Sequence, residues 1–244
     1  MEQLLEELTL NAWPAIRVMH YDGWVIRFSG GYTRRANSVN LLAPSTISLR
    51  EKVAYCEEVY RQAGLSTVFK ICPTPDSEEL DRILADLGYE LQGAADVMTC
   101  PLQPAPEEHP IDFRIDSELT DWWFGAAERL NGVNVHLHRH LEQILHNIEP
   151  KHAFASIRDG AVPIAIALAV VERNWMGLYD IVTAVPFRRK GFGRHLVLSL
   201  MDWARDDGVE NAYLQVMSDN MPAVALYGSM GFETRYRYWY RVKD

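Results

Sequence analysis

The chain of 244 residues has little cysteine, no excess of positive charge and no long apolar run. Each absence excludes something. The three cysteines, Cys56, Cys72 and Cys100, are odd in number and widely spaced. They predict reduced, buried thiols rather than a disulfide framework. The longest apolar candidate, residues 161–171, has strand length and falls short of the roughly 20 residues of a membrane span. The opening MEQLLEELTL is acidic and lacks a basic region, which argues against a secretory signal. Formal net charge is −9, with 9 basic against 14 acidic side chains in residues 1–100 and 15 against 19 in the remainder. Neither half carries the cationic excess that binding by phosphate neutralisation requires. Together these predict a cytoplasmic protein, monomeric or homodimeric, with neither nucleic acid nor membrane as partner. What is present is globular: 48% of residues are hydrophobic and 23% charged. A chain this long buries about three quarters of its unfolded surface without staples.

The clearest boundary is PLQPAPEEHP, with four prolines in residues 101–110. Such a run is extended and stiff, and neither helix nor central strand accommodates it. It predicts a first lobe over 1–100, a linker over 101–111 and a second domain over 112–244. In the second, periodicity predicts a strand at 113–116, helices at 119–130 and 138–148, and strands at 153–158, 162–172 and 175–182. A helix at 193–206, a strand at 212–216, a helix at 222–230 and a strand at 232–242 follow. In the first, strands are expected at 24–28 and 38–42. A helix at 49–62, a strand at 68–71, a helix at 77–87 and a strand at 91–99 follow. The two endings match. AGLSTVFKI parallels DGVENAYLQV, and ILADLGYE parallels LYGSMGFE. Gly64 and Gly208 are 144 residues apart, and Gly88 and Gly231 are 143 apart. Two landmarks at nearly one offset predict an internal repeat.

One segment breaks the acidic background. VTAVPFRRKGFGRHLVLSL leaves a strand, crosses a short basic loop and enters a helix. Arg188-x-x-Gly191-x-Gly193 places small residues where a backbone must approach something closely. The amides of Arg189 to Arg194 then sit at the positive end of a helix dipole, an arrangement suited to a pyrophosphate. Taken alone, the loop could equally be a plain strand-to-helix turn with solvated basic residues. A second motif follows: Asn220-x-x-Ala223-x-x-Leu226-Tyr227-x-x-x-Gly231-Phe232. On a helix Ala223 and Tyr227 share a face, with Asn220 near its start.

In these two motifs the chain resembles the GNAT superfamily of acyl-CoA-dependent N-acetyltransferases, over roughly residues 112–242. The resemblance implies a mixed-sheet α/β fold, with a full copy preceded by a truncated N-terminal copy like that of tandem GNAT proteins. It implies acetyl-CoA as donor, a primary amine of a small molecule or protein as acceptor, and no metal. By the same resemblance the loop Arg188, Arg189, Lys190, Gly191, Phe192, Gly193 and Arg194 binds the pyrophosphate. Ile181, Val182 and Thr183 bond the pantetheine arm, in a V-shaped gap between two strands. Asn220, Ala223 and Tyr227 flank the cofactor, and Tyr227 is the general acid. The first copy lacks these features. APSTISLREK stands in place of the glycine loop, and Leu84 in place of Tyr227.

An amine attacks a thioester only as the free base, so the site must accept a proton. Glu172 and Asp180 are the acids on or beside the central strands, and Asp180 is the nearer to the expected thioester. Strand alternation can also turn Asp180 away from the cleft, leaving a water chain as base. His136, His138, His140 and His146 suggest a metal only weakly, since no carboxylate or cysteine cluster completes a site. His136 and His140 are expected on one helix face. Trp122 and Trp123 read as core. Two alternatives to the enzyme are a non-catalytic acyl-CoA sensor and an interaction scaffold.

Overall fold

A computed structural model describes residues 1–74, 76–102 and 112–244. The expected linker therefore falls largely outside the described residues. The first helix, α1 (Glu2–Ala12), forms because Leu5, Leu8 and Ala12 recur at helical spacing and are buried. β1 (Arg17–Tyr21) and β2 (Trp24–Phe28) make a hairpin about Asp22-Gly23, both at positive φ (45° and 80°). That two-residue turn matches the twist of paired strands. α1 and β1 precede the first strand expected from sequence. β3 (Val39–Leu41), α2 (Leu49–Gln62), β4 (Thr67–Ile71), α3 (Ser77–Asp86) and β5 (Glu90–Pro101) follow. Then come β6 (Phe113–Asp116), α4 (Asp121–Asn131), α5 (His138–His146), β7 (Lys151–Asp159), β8 (Val162–Glu172) and β9 (Trp175–Thr183). The chain ends with α6 (Phe192–Arg205), β10 (Asn211–Met217), α7 (Met221–Gly228) and β11 (Glu233–Lys243).

These elements build the expected mixed α/β fold as two units. One contains Met1–Val97, Met217–Asp219 and Thr234–Asp244; the other contains Met98–Val216 and Asn220–Glu233. This division differs at the far end from a cut into 1–100, 101–111 and 112–244, because the last strand belongs with the first unit. No helix among the described residues is long and apolar enough to cross a membrane.

In the first unit the strand order is β1-β2-β3-β4-β11-β5. β3 and β4 are parallel, and β11 runs antiparallel to β4 with Trp239 opposite Ile71 and Lys243 opposite Thr67. The core between this sheet and α2 and α3 is Trp24, Ile26, Phe28, Val39, Leu41, Phe69 and Ile71 against Val53, Tyr60, Leu80 and Leu84. β11 is also tied by side chains. Arg241 pairs with Asp81 at 2.8 Å, Trp239 Nε1 donates to Asp81 at 2.8 Å, and Tyr236 donates to buried Glu6 at 2.5 Å. Glu6 in turn pairs with buried Lys70 at 2.6 Å.

In the second unit the order is β10-β9-β8-β7-β6, with the end of β5 beside β10. Alanine at every second position (153 and 155 on β7; 165, 167 and 169 on β8) makes one sheet face shallow. α6 lies on that face, burying Leu196, Val197, Leu200, Met201 and Ala204. Each such aliphatic side chain contributes about 1.5–3 kcal/mol when fully buried, alanine less. The opposite face is covered by α4, where Trp123 is fully buried, stacks edge-on against Phe154 at 4.9 Å and donates to the Ala155 carbonyl at 3.0 Å. The series α2-β4-α3-β5 and α6-β10-α7-β11 run in the same order. The final strand of the second series, β11, belongs to the first unit.

Candidate active site

The site assembles at the end of β9. Ile166 faces Val182 and Leu168 faces Tyr179, so Asp180 and Ile181 together oppose Ala167 alone. This is a β-bulge, and it interrupts the ladder locally. Asp180 takes the left-handed conformation there, with φ 46°. Among non-glycine residues Asp is one of the few that tolerate it. Parallel pairing between β9 and β10 covers only Trp175–Leu178 against Asn211–Leu214. Past that point the strands part. Asp180, Ile181, Val182 and Thr183 consequently become half-buried, while Trp175–Tyr179 are buried.

Behind the parting strands, Gly177 is required by its neighbours. A Cβ there would lie 2.5 Å from the ring and hydroxyl of Tyr213 and 2.8 Å from Tyr179. The two tyrosine hydroxyls bond at 3.1 Å. Neither the bulge nor this pair was anticipated from sequence. A lone glycine inside WMGLYD is a signal for close approach, and only that part was detectable.

The loop after β9 begins with a short 3-10 turn, Val185–Phe187. Arg188 Nε donates back to the Thr183 carbonyl at 3.1 Å. Arg189 and Gly191 are both left-handed, at φ 60° and 86°. Gly191 is the N-cap of α6, and among the described residues no side chain caps that helix. The first intrahelical bond is His195 N–H to the Gly191 carbonyl at 2.9 Å, so the amides of Phe192, Gly193 and Arg194 have no acceptor within the helix. Arg188, Arg189 and Lys190 are exposed around them. This is a concentrated positive end, suited to an anion. The two glycines differ in their reasons. Gly191 needs its backbone angle, since a Cβ there would meet nothing within 4 Å. Gly193 sits where α6 meets the other elements: its Cβ would touch Thr183 Oγ1 at 3.4 Å and Leu226 at 3.7 Å.

That contact brings α7 to the same place. Asn220 is exposed and caps α7, accepting from the Ala223 amide at 3.3 Å. Ala223 and Leu226 pack against the core beneath α6. Tyr227 is buried, edge-on to Phe232 at 5.8 Å. Burial pushes its phenol up to about 12. Among the described residues none hydrogen-bonds its hydroxyl. Arg194 reaches the Ser229 carbonyl at 3.4 Å, at the far end of α7. β9, the loop, the start of α6 and α7 therefore converge. Glu172 lies elsewhere, opposite Trp175 at the hairpin end of the β8–β9 pair.

The corresponding helix of the first unit is built differently. Ser48 caps α2 by accepting from the Glu51 amide at 3.3 Å, with Ser48-x-x-Glu51 forming the sequence of a capping box. The preceding loop is held by Asp22, which accepts from Thr46 Oγ1 at 2.6 Å and from the Thr46 and Ile47 amides at 2.9 Å each. Buried Lys52 donates to the Asp22 carbonyl at 2.5 Å and to Ser45 Oγ at 2.8 Å. At this start a side chain therefore takes one of the amides at the helix N-terminus.

The histidines do not gather. His136 is in a 3-10 segment, Val135–Leu137, before α5 begins at His138. It does not share an α-helix with His140, contrary to expectation, because the tighter 3-10 segment runs directly into α5. His138 pairs with Glu128 and lies edge-on to Phe124 at 4.7 Å. Among the described residues no three side chains of metal-ligating type come together. Trp122, expected as core, is half-buried under the Arg158 guanidinium, 4.7 Å from its ring.

A sheet whose central strands part beside an uncapped, basic helix start is the architecture of a GNAT acyltransferase, and the solved structures agree. A GCN5-related N-acetyltransferase from Kribbella flavida superposes with TM-score 0.71 at 12% identity, covering all of this chain and 95% of its own. A tandem GNAT protein from the clavulanic acid biosynthesis pathway superposes with TM-score 0.60 at 15% identity, covering 79% and 69%. In sequence, the chain is 29% identical over 243 residues to "Uncharacterized N-acetyltransferase YobR" of Bacillus subtilis (strain 168), covering 98% of this chain and 97% of that one. The family model described as "Probable histone acetyltransferase Rv0428c C-terminal" matches residues 3–241. The chain belongs to that family, within the GNAT N-acetyltransferases, and is an acyltransferase.

Proposed function

We propose that this enzyme moves an acetyl group from acetyl-CoA to a primary amine by direct attack in a ternary complex. The observation that carries the reading is the meeting of parted strands with the unbonded amides of Phe192, Gly193 and Arg194. The pyrophosphate sits on those amides and is flanked by Arg188, Arg189, Lys190 and Arg194. The pantetheine arm runs along Ile181, Val182 and Thr183, with Asn220 and Ala223 on its other side. The thioester then lies at the bulge, between β9 and β10.

Chemistry at that point needs a proton removed from the amine and one supplied to the leaving sulfur. Tyr227 suits the second task, because a phenol raised above its ordinary value stays protonated at neutral pH. Asp180 at the bulge, or water held near it, takes the amine proton. The acceptor is a small-molecule or protein amine, and acceptor choice lies in helices such as α4 and α5 rather than in the donor motifs. The first unit is a degenerate donor-binding copy, since a capped helix offers an anion few free amides. The enzyme works in the cytoplasm.

An acceptor screen with acetyl-CoA, monitored by free thiol release, tests this. Turnover with at least one amine class is expected. Saturable acetyl-CoA binding with no turnover across small amines, peptide N-termini and lysine peptides would favour a sensor instead.

A further inference from the structure

The first unit carries an open edge and a groove that the acetyl-transfer chemistry does not use. Among the described residues β1 is the terminal strand of its sheet and pairs only with β2. The tight turn at Asp22-Gly23 makes Tyr21 and Trp24 a hydrogen-bonded pair, and the alternation continues through Met19 with Ile26 and Arg17 with Phe28. The backbone groups of Val18 and His20 therefore point outward along the open edge. Val18 is also 50% exposed, although it is a large apolar residue. Native edges are commonly blunted by lysine, proline or a bulge, and RVMHY has none of these.

Beside this edge lies a groove of about 490 Å³, between β1 and the end of α2. Five of its seven lining residues are apolar, Val18, Met19, Phe28, Val59 and Ala63, and the other two are Arg17 and Gln62. That volume falls within the roughly 300–1,000 Å³ of ordinary ligand pockets. The Arg17 guanidinium rests over the Phe28 ring, 5.6 Å from its centre. Among the described residues no carboxylate pairs with it, despite the net charge of −9.

We propose that β1 and this groove dock an extended segment of a partner protein by strand addition. The segment bonds the outward groups of Val18 and His20. Alternate side chains of an added strand fall on one face, so an apolar one enters the groove between Met19, Phe28 and Val59. A neighbouring carboxylate, from Asp, Glu or a chain terminus, meets Arg17. Open ladder groups, an apolar groove and an uncompensated cation together specify an apolar, acidic, extended peptide.

The test is selection of a heptapeptide display library on the immobilised full chain, followed by fluorescence anisotropy of the selected peptides in synthetic form. Enrichment of alternating apolar and acidic residues without proline is expected, with micromolar dissociation constants. Arg17→Glu and Ala63→Trp, both at exposed positions, should each weaken binding at least tenfold with unchanged melting temperature. N-methylation of the selected peptide at every second residue should abolish binding, and the alternate set should be tolerated. The proposal is overturned if no selected peptide depends on Arg17 and Ala63, or if both N-methylated sets bind alike. It is also overturned if light scattering finds a dimer that Val18→Pro and Arg17→Glu dissociate, because the occupant is then a second copy of the chain.

Discussion

Replacing Tyr227 by Phe separates chemistry from packing at this site. The ring keeps its contacts with Phe232 and the core beneath α6, and one hydroxyl is lost. Since no described residue bonds that hydroxyl, its removal should change stability by no more than about 1 kcal/mol. Donor affinity should stay within a few-fold. If Tyr227 protonates the leaving thiolate, kcat should fall by about 10²-fold or more, equivalent to about 2.7 kcal/mol of barrier. Thiol release measured in single turnover removes the ambiguity of slow product release. The same variant has an alkaline signature. The folded phenol titrates at about 12, against about 10 when unfolded. The folded state thus holds the proton longer. The associated stability is fully present below pH 10 and is lost as pH rises through 12, by up to about 3 kcal/mol. Urea melts across that window should show a steeper loss for wild type than for Tyr227→Phe. A folded variant with full single-turnover rate would refute the acid role.

The remaining predictions address the loop, the bulge and the last strand. Gly191→Ala should cost about 1–2 kcal/mol through its left-handed angle, and Gly193→Ala should cost less, because its Cβ meets only ordinary contacts; thermal melts compare them. Gly191→Glu should remove acetyl-CoA binding in calorimetry while the protein stays folded, and unchanged affinity would sink the donor assignment. Asp180→Asn preserves a side chain that tolerates the bulge, so a tenfold or greater fall in kcat/KM near neutral pH is expected; an unchanged pH profile would assign the proton to water. Ending the chain at Glu233 should leave the first unit without Tyr236, Trp239 and Arg241, and hydrogen exchange should find β4 and α3 unprotected.

Much of this was legible in the sequence, for physical reasons. Helix α2 was readable to its last residue because Ser48 caps it and Gly64 follows it. The hairpin β8–β9 was readable because its apolar runs are long and interrupted only at Arg173-Asn174. The basic turn into α6 was readable because Gly191 and Gly193 interrupt a cationic run where a strand gives way to a helix; its reading as a donor loop came from the resemblance alone. The bulge at Asp180 was not, because inserting one residue in a ladder leaves no mark on a strand that is apolar on both faces. α1 is not evident from sequence despite Leu5 and Leu8 at helical spacing, since three acidic side chains, Glu2, Glu6 and Glu7, mask the pattern. The place of β11 was illegible for a deeper reason. Alternation of Tyr236, Tyr238 and Tyr240 says that one face is buried, but not against which helix or beside which strand.

The membership of β11 in the first unit has a bearing on how the chain is made. A ribosome delivers β1 through β4 first, yet the strand that pairs with β4 emerges only after Met98–Glu233 has been synthesised. At roughly 5–20 residues per second that delay is on the order of 10 s. During it, one side of β4 is an unsatisfied edge, and Lys70 and Asp81 lack Tyr238 and Arg241. The first unit cannot mature vectorially in the order of its genetic message. Its sheet gains the partner of β4 only when the tail arrives.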